Sequence, residues 1–163
     1  MHIIIKNKIL SYGNYKVKCA VGKRGIGIKL KEGDLITPKG IYKIVKIFLR
    51  KDRIKNFVTK IKTLPIKKNM GWCNDPNSKN YNKLIKYPFN STFEKLFRKD
   101  NIYDVIMVLN YNMNPVIKNK GSAIFLHISK KNYSSTEGCI AIGKSHIKKL
   151  LMLISSRTKV KII

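Results

Sequence analysis

His127 and Cys139 stand near the two ends of one short segment, GSAIFLHISKKNYSSTEGCIAI, which runs from Gly121 to Ile142. An apolar, strand-like run delivers the histidine, a polar loop follows, and the cysteine comes directly after Gly138 at the start of a second apolar run. A cysteine attacks as the thiolate, so it needs a lowered pKa or a nearby base. A neutral imidazole can be that base around pH 7. The pair lie twelve positions apart, far enough for a loop to fold them back together on adjacent strands. Gly138 lets the backbone turn sharply before the nucleophile and leaves room for a substrate carbonyl, so the amides from Glu137 to Cys139 are candidates for an oxyanion hole. The same residue types also fit a plainer role, because a cysteine in an apolar run is often a small core residue and a lone histidine a hydrogen-bonded bystander.

The elements that must hold this pair read as mainly β. Alternation along AIFLHI puts Ala123, Phe125 and His127 on one face of a strand and Ile124, Leu126 and Ile128 on the other. His2 to Leu10, Tyr15 to Val21, Ile41 to Phe48, Val105 to Asn110, Ala123 to Ile128, Cys139 to Ile142 and Lys159 to Ile163 are the strand candidates, with a turn at Gly13 and Asn14. The run VIMVL is apolar on both faces and is expected to be central. One helix is expected from Ile147 to Ile154, capped by Ser145, and a second, weaker one from Thr92 to Arg98. Such a chain predicts a β-sandwich with one or two short helices.

Composition bounds the rest. A chain of 163 residues with 44% hydrophobic content has enough material for one core, and no repeat or linker divides it, so residues 1–163 read as a single domain. The net charge of +27 invites a nucleic-acid partner. Only Arg24, Arg50, Arg53, Arg98 and Arg157 are arginines, however, and lysine is the poorer residue for bidentate base recognition. Lysines scattered singly or in pairs along alternating strands read as solvated faces, so no specific nucleic-acid partner is expected, although a basic surface attracts anionic envelope polymers. Three cysteines without a CxxC pair argue against a zinc site, and no metal or other cofactor is implied. Cys19 falls on an inward strand face, and Cys73 lies beside Trp72 in what reads as a polar loop, with a structural role favoured over lining a groove or pairing with another thiol. Trp72, Tyr81 and Asn82 read either as substrate contacts or as loop anchors. Met1 to Ser11 has apolar runs of only two or three residues, too short for a signal-peptide core or a membrane span. The chain is expected to act as a monomer.

The segment around Cys139 resembles the active-site motif of the L,D-transpeptidase catalytic domain, the YkuD-type domain. In that family a histidine strand leads through a loop to a Ser/Thr-x-Gly-Cys signature, here Thr136, Glu137, Gly138 and Cys139. Upstream, GIGIKLKEGDLITPKGIYKI (Gly25 to Ile44) resembles the family's EGD…TPxGxY block through Asp34, Thr37, Pro38, Gly40 and Tyr42. GWCNDPNSKNYN (Gly71 to Asn82) and DVIMVLNYN (Asp104 to Asn112) resemble two further blocks, and together the resemblance runs from about Gly22 to Ile154. Two positions depart from it: Glu137 stands where many members have histidine, and Ala141 where many have arginine.

The resemblance implies a YkuD-type β-sandwich and a bacterial cell-wall enzyme acting on peptidoglycan stem peptides in the periplasm or cell envelope. Cys139 and His127 would be catalytic, Gly138 would help form the oxyanion hole, and Thr136 would contact substrate. The thiolate would attack the bond between a diamino acid and D-Ala, leaving a thioester that passes to an amine acceptor. Water in place of the amine would make the same site an L,D-carboxypeptidase or amidase. A basic binding module with an inactive site is the third possibility.

Overall fold

The computed structural model describes residues 1–55 and 59–163. The chain opens with three short antiparallel strands, β1 (Ile3–Lys6), β2 (Ile9–Tyr12) and β3 (Tyr15–Lys18). The single strand expected over His2 to Leu10 is therefore a hairpin. Asn7 and Lys8 both adopt positive φ (50° and 59°) between the paired Lys6 and Ile9, as a tight two-residue connection requires. Two short strands, β4 (Ile26–Gly27) and β5 (Thr37–Pro38), pair in parallel and lead into the long β6 (Gly40–Leu49). Then come β7 (Leu64–Pro65), β8 (Met70–Cys73), β9 (Leu84–Lys86), β10 (Phe93–Lys95), β11 (Val105–Leu109), β12 (Phe125–Ile128) and β13 (Ile140–Ile142). A helix, α1 (Lys144–Leu153), and β14 (Lys159–Ile162) follow.

The large mixed sheet has the order β13-β12-β11-β6-β14-β1-β2-β3, with β7 alongside β6. VIMVL forms β11, wholly buried between β6 and β12, because both of its faces meet apolar layers. On one face Met107 and Leu126 join Ile3, Ile5, Leu10 and the helix residues Ile147, Leu150 and Leu151. On the other, Ile106, Val108 and Phe125 pack with Trp72, Met70 and Leu96 of the smaller antiparallel sheet β10-β8-β9 and its flank. Trp72 meets Phe125 edge-on with ring centres 5.3 Å apart. The result is the expected β-sandwich-like architecture with one helix among the described residues.

Three local expectations change. The stretch from Thr92 to Arg98 contains strand β10, since Phe93, Glu94 and Lys95 pair with Cys73, Trp72 and Gly71, and a sheet edge outweighs a short helical pattern. Trp72 and Cys73 lie in buried β8 instead of a polar loop. The helix begins at Lys144 with Gly143 as its N-cap, so Ser145 lies inside the first turn and caps nothing. Cys19 is buried in the core as expected, and Cys73 is buried too. No helix is long and apolar enough to cross a membrane among the described residues.

Candidate active site

Strands β12 and β13 are parallel neighbours, with Leu126 opposite Ile140 and His127 opposite Ala141. Cys139 immediately precedes β13, level with Phe125, and its Sγ accepts the Phe125 N–H at 3.4 Å. The period of two along β12 turns Phe125 and His127 to the face of the smaller sheet, where Tyr103 meets both rings edge-on, 6.0 and 5.2 Å between centres.

The turn before Cys139 is held from two sides. Gly138 has φ of 144°, and a Cβ there would come within 3.0 Å of the Ile36 carbonyl oxygen, so only glycine fits. Thr37 Oγ1 donates to the Gly138 carbonyl at 2.8 Å and accepts the Gly22 N–H at 2.8 Å. From the other side Thr136 Oγ1 donates to the Cys139 carbonyl at 2.6 Å and accepts the Gly138 N–H at 3.1 Å. The Gly138–Cys139 peptide is trans, so the Cys139 N–H points away from Thr37.

Both titratable groups rest uncharged. Burial lowers the His127 pKa to about 4, opposed by its hydrogen bond to the Ile128 carbonyl and assisted by the Arg98 charge. That bond, Nδ1 to the Ile128 carbonyl at 2.9 Å, puts the ring hydrogen on Nδ1, since a carbonyl only accepts. Nε2 is left with its lone pair. Burial also raises the Cys139 pKa, and the Glu94 carboxylate adds to the rise. The thiol donates to the Ala123 carbonyl at 3.1 Å. A neutral imidazole and a neutral thiol can exchange one proton in step with attack, with no standing ion pair to dissolve.

His127, Gly138 and Cys139 line one cavity of about 430 Å³. Its wall also carries Thr136, Tyr103, Ser122, Lys29 and three glutamates, Glu32, Glu94 and Glu137. Lys29 is buried, its Nζ bonded to Asp34 at 2.5 Å. Burial works against the Asp34 carboxylate, but Lys29 and the amides of Ile36, Leu30 and Lys31 outweigh it and hold its pKa down at about 2.

A family model described as the L,D-transpeptidase catalytic domain matches residues 3–162. The chain belongs to the YkuD family. No curated protein matches it. YkuD domains are L,D-transpeptidase-class enzymes that act on peptidoglycan, a polymer of the cell envelope.

In this YkuD domain three residues considered as substrate contacts lie outside the cavity wall. Trp72 and Asn82 are buried, and Trp72 Nε1 donates to Asn82 Oδ1 at 3.0 Å. Asn82 Oδ1 also accepts the Ala123 N–H at 3.1 Å, while its amide donates to the carbonyls of Tyr111 and Asn112. Tyr81 is buried, its hydroxyl bonded to Glu32 and to the Gly121 N–H. All three are anchors for the segment that leads into β12. Thr136 does reach the cavity, with its hydroxyl engaged inside the nucleophile turn. Lys29, Glu94, Tyr103 and Ser122 are wall residues that sequence reasoning passed over. Alternation across Ile28, Lys29 and Leu30 sets the lysine apart from its apolar neighbours, and here the usual pattern is inverted: Lys29 is buried while Ile28 and Leu30 are exposed.

Proposed function

We propose that this YkuD domain is a cysteine acyl-transferase of peptidoglycan stem peptides, with Cys139 as nucleophile and His127 as base. The observation that carries the reading is a buried imidazole with Nε2 unprotonated sharing one cavity with a thiol at the entry to the adjacent strand. As Sγ bonds to the carbonyl carbon between the diamino acid and D-Ala, its proton passes to His127 Nε2. The Cys139 N–H is the oxyanion donor in this scheme, because the carbonyl of its own peptide plane is tied back to Thr37. Imidazolium then protonates the departing D-Ala nitrogen, the C–N bond breaks, and a thioester remains. An acceptor amine attacks the thioester, loses a proton to His127, and the thiol is restored.

Water in the acceptor's place gives the shortened stem peptide instead of a cross-link. Glu137 and Ala141, the two departures from the family pattern, motivate this second reading. With the substrate in the envelope, the enzyme works there.

The test is to incubate purified protein with a disaccharide tetrapeptide and follow intact protein and products by mass spectrometry, beside Cys139→Ala. A Cys139-dependent adduct with a dimeric product is the expected result. An adduct yielding only tripeptide would replace transfer by hydrolysis, and activity retained in Cys139→Ala would remove the nucleophile assignment.

A further inference from the structure

None of the 8 Asp and Glu lies in residues 1–31, 35–51 or 138–163, so the neighbouring strands β6, β14, β1, β2 and β3 of the large sheet carry no carboxylate. Their inward residues join the core that α1 closes. The smaller sheet packs over β11, β12 and the end of β6, and the outward residues of β14, β1, β2, β3 and the first half of β6 stay uncovered.

The strand register fixes what this face presents. Ile41, Lys161, Ile4, Ser11 and Lys16 stand side by side in one row across all of these strands. Lys43 faces Lys159 in the row on one side, and Lys6, Ile9 and Lys18 form the row on the other. Among the described residues no ion pair reaches any of these lysines. Like charges directly opposite, as at Lys43 and Lys159, repel each other, and an anionic partner relieves that repulsion. Between the lysines the apolar residues are open to solvent, Ile41 by 61%, Ile9 by 42% and Ile4 by 37%.

The face suits a lipid surface better than a thread of phosphates. Tyr12, Tyr15 and Tyr42, the tyrosines of these strands, pack towards the core, so they offer no outward ring on which a base could stack. The strands contain no arginine for bidentate recognition. Ala20, just beyond β3, bridges to Ala141 in β13 at the far end of the strand order, so the sheet curls around its core and its outer face is convex, without a groove to grip a polymer. Exposed isoleucines add nothing to phosphate binding, whereas at a bilayer they enter the boundary beneath headgroups that lysines reach by snorkelling.

We infer that this face docks the domain on the surface of a bilayer rich in anionic lipids. The lysine ammoniums lie among the headgroups, with Ile4, Ile9 and Ile41 as the apolar contacts. None of these residues lines the cavity of Cys139, so docking and catalysis are separable.

The test is co-sedimentation of the purified protein with vesicles of phosphatidylcholine alone or of phosphatidylcholine and phosphatidylglycerol in a two-to-one mixture. Binding is expected to the mixed vesicles only. Lys159→Gln with Lys161→Gln should weaken it about 25-fold, about fivefold per lysine. Lys67→Gln with Lys68→Gln removes the same charge from exposed positions just before β8 and should leave binding nearly unchanged. Ile4→Thr with Ile41→Thr keeps branched strand residues and should weaken binding at least about fourfold, the worth of one buried methylene. Thermal melts establish that each variant is folded. Equal sedimentation with both kinds of vesicle, or with neither, would overturn the inference. Equal losses in the two lysine pairs would assign binding to net charge and not to this face. Binding indifferent to the threonine pair would replace the bilayer by an anionic polymer, for which linear polyphosphate is the probe.

Discussion

Thr37 Oγ1 and the carbonyl of Gly138 lie 2.8 Å apart across 101 positions of sequence, and their hydrogen bond sets the peptide plane that enters Cys139. The threonine of the TPxG turn is thus a clamp on the nucleophile. Thr37→Val removes the donor and leaves the Gly22 N–H without its acceptor, at a cost of about 1 to 3 kcal/mol. Activity should suffer more than stability, with kcat falling about tenfold or more while Thr37→Ser keeps most of it. Steady-state kinetics beside thermal melts check this, and a Thr37→Val enzyme with unchanged kcat would show the clamp to be dispensable.

The pH profile follows from His127. Its folded pKa is lowered from 6.5 to about 4, so the neutral base persists until the pH falls through about 4. The acid limb of kcat/KM should therefore break near 4, and a break near 6.5 would mean that the imidazole is solvated in the working enzyme. Stability has the matching sign. The unfolded chain takes up the histidine proton first, so this contribution is complete above 6.5 and declines as the pH falls towards about 4, by about 3 kcal/mol at most. Denaturant titrations across that range measure it.

Cys139 should be slow towards simple alkylating agents. Burial and the Glu94 carboxylate raise its pKa, so at pH 7 iodoacetamide should modify it about tenfold or more slowly than free cysteine. Cys19 and Cys73, 1% and 0% exposed, should not react in the folded protein. Peptide mapping after timed labelling distinguishes the three, and rapid labelling of Cys139 would imply a standing thiolate.

The Lys29–Asp34 pair lies beneath the nucleophile turn, Lys29 Nζ 3.7 Å from where a Gly138 Cβ would be. Asp34→Asn leaves a buried ammonium without its counter-charge and should cost about 3 kcal/mol or more. The double change Asp34→Asn with Lys29→Met should recover part of that loss, and a melt showing no recovery would separate the two residues energetically.

Asn82 uses both its acceptor sites and both its donors, on Trp72, Ala123, Tyr111 and Asn112. Asn82→Ala strands the buried Trp72 and Ala123 N–H groups, and should cost about 3 kcal/mol. Because the Ala123 carbonyl also accepts the Cys139 thiol, kcat should fall in the soluble fraction that still folds. Normal stability in this variant would contradict the anchoring role.

Local pattern and long-range packing explain which parts of this site were legible in the sequence. Alternation along residues 123–128 was enough to orient His127, and a loop of ordinary length was enough to bring Cys139 beside it. Asn82 and Trp72 could be read either way, because a tryptophan and an asparagine in a polar stretch look available, while the pull of β8 that sets Trp72 against Phe125 lies outside any local window. Glu94 was hidden in a stretch with helical spacing that the edge of β8 converts into strand. Lys29 matters only through Asp34 and the distant Gly138, a juxtaposition that no local window contains.

Strand β14 lies between β6 and β1, pairing Val160 with Tyr42 on one side and with Ile3 on the other. The hairpin at residues 3–12 therefore has no seat on the main sheet until residues 159–162 are in place. During synthesis, residues 159–162 must leave the ribosome before that seat exists, so the hairpin docks only after the other strands of the sheet have been made. Until then the apolar face of Ile3 and Ile5 stays uncovered, a substrate for holding chaperones and a hazard for aggregation.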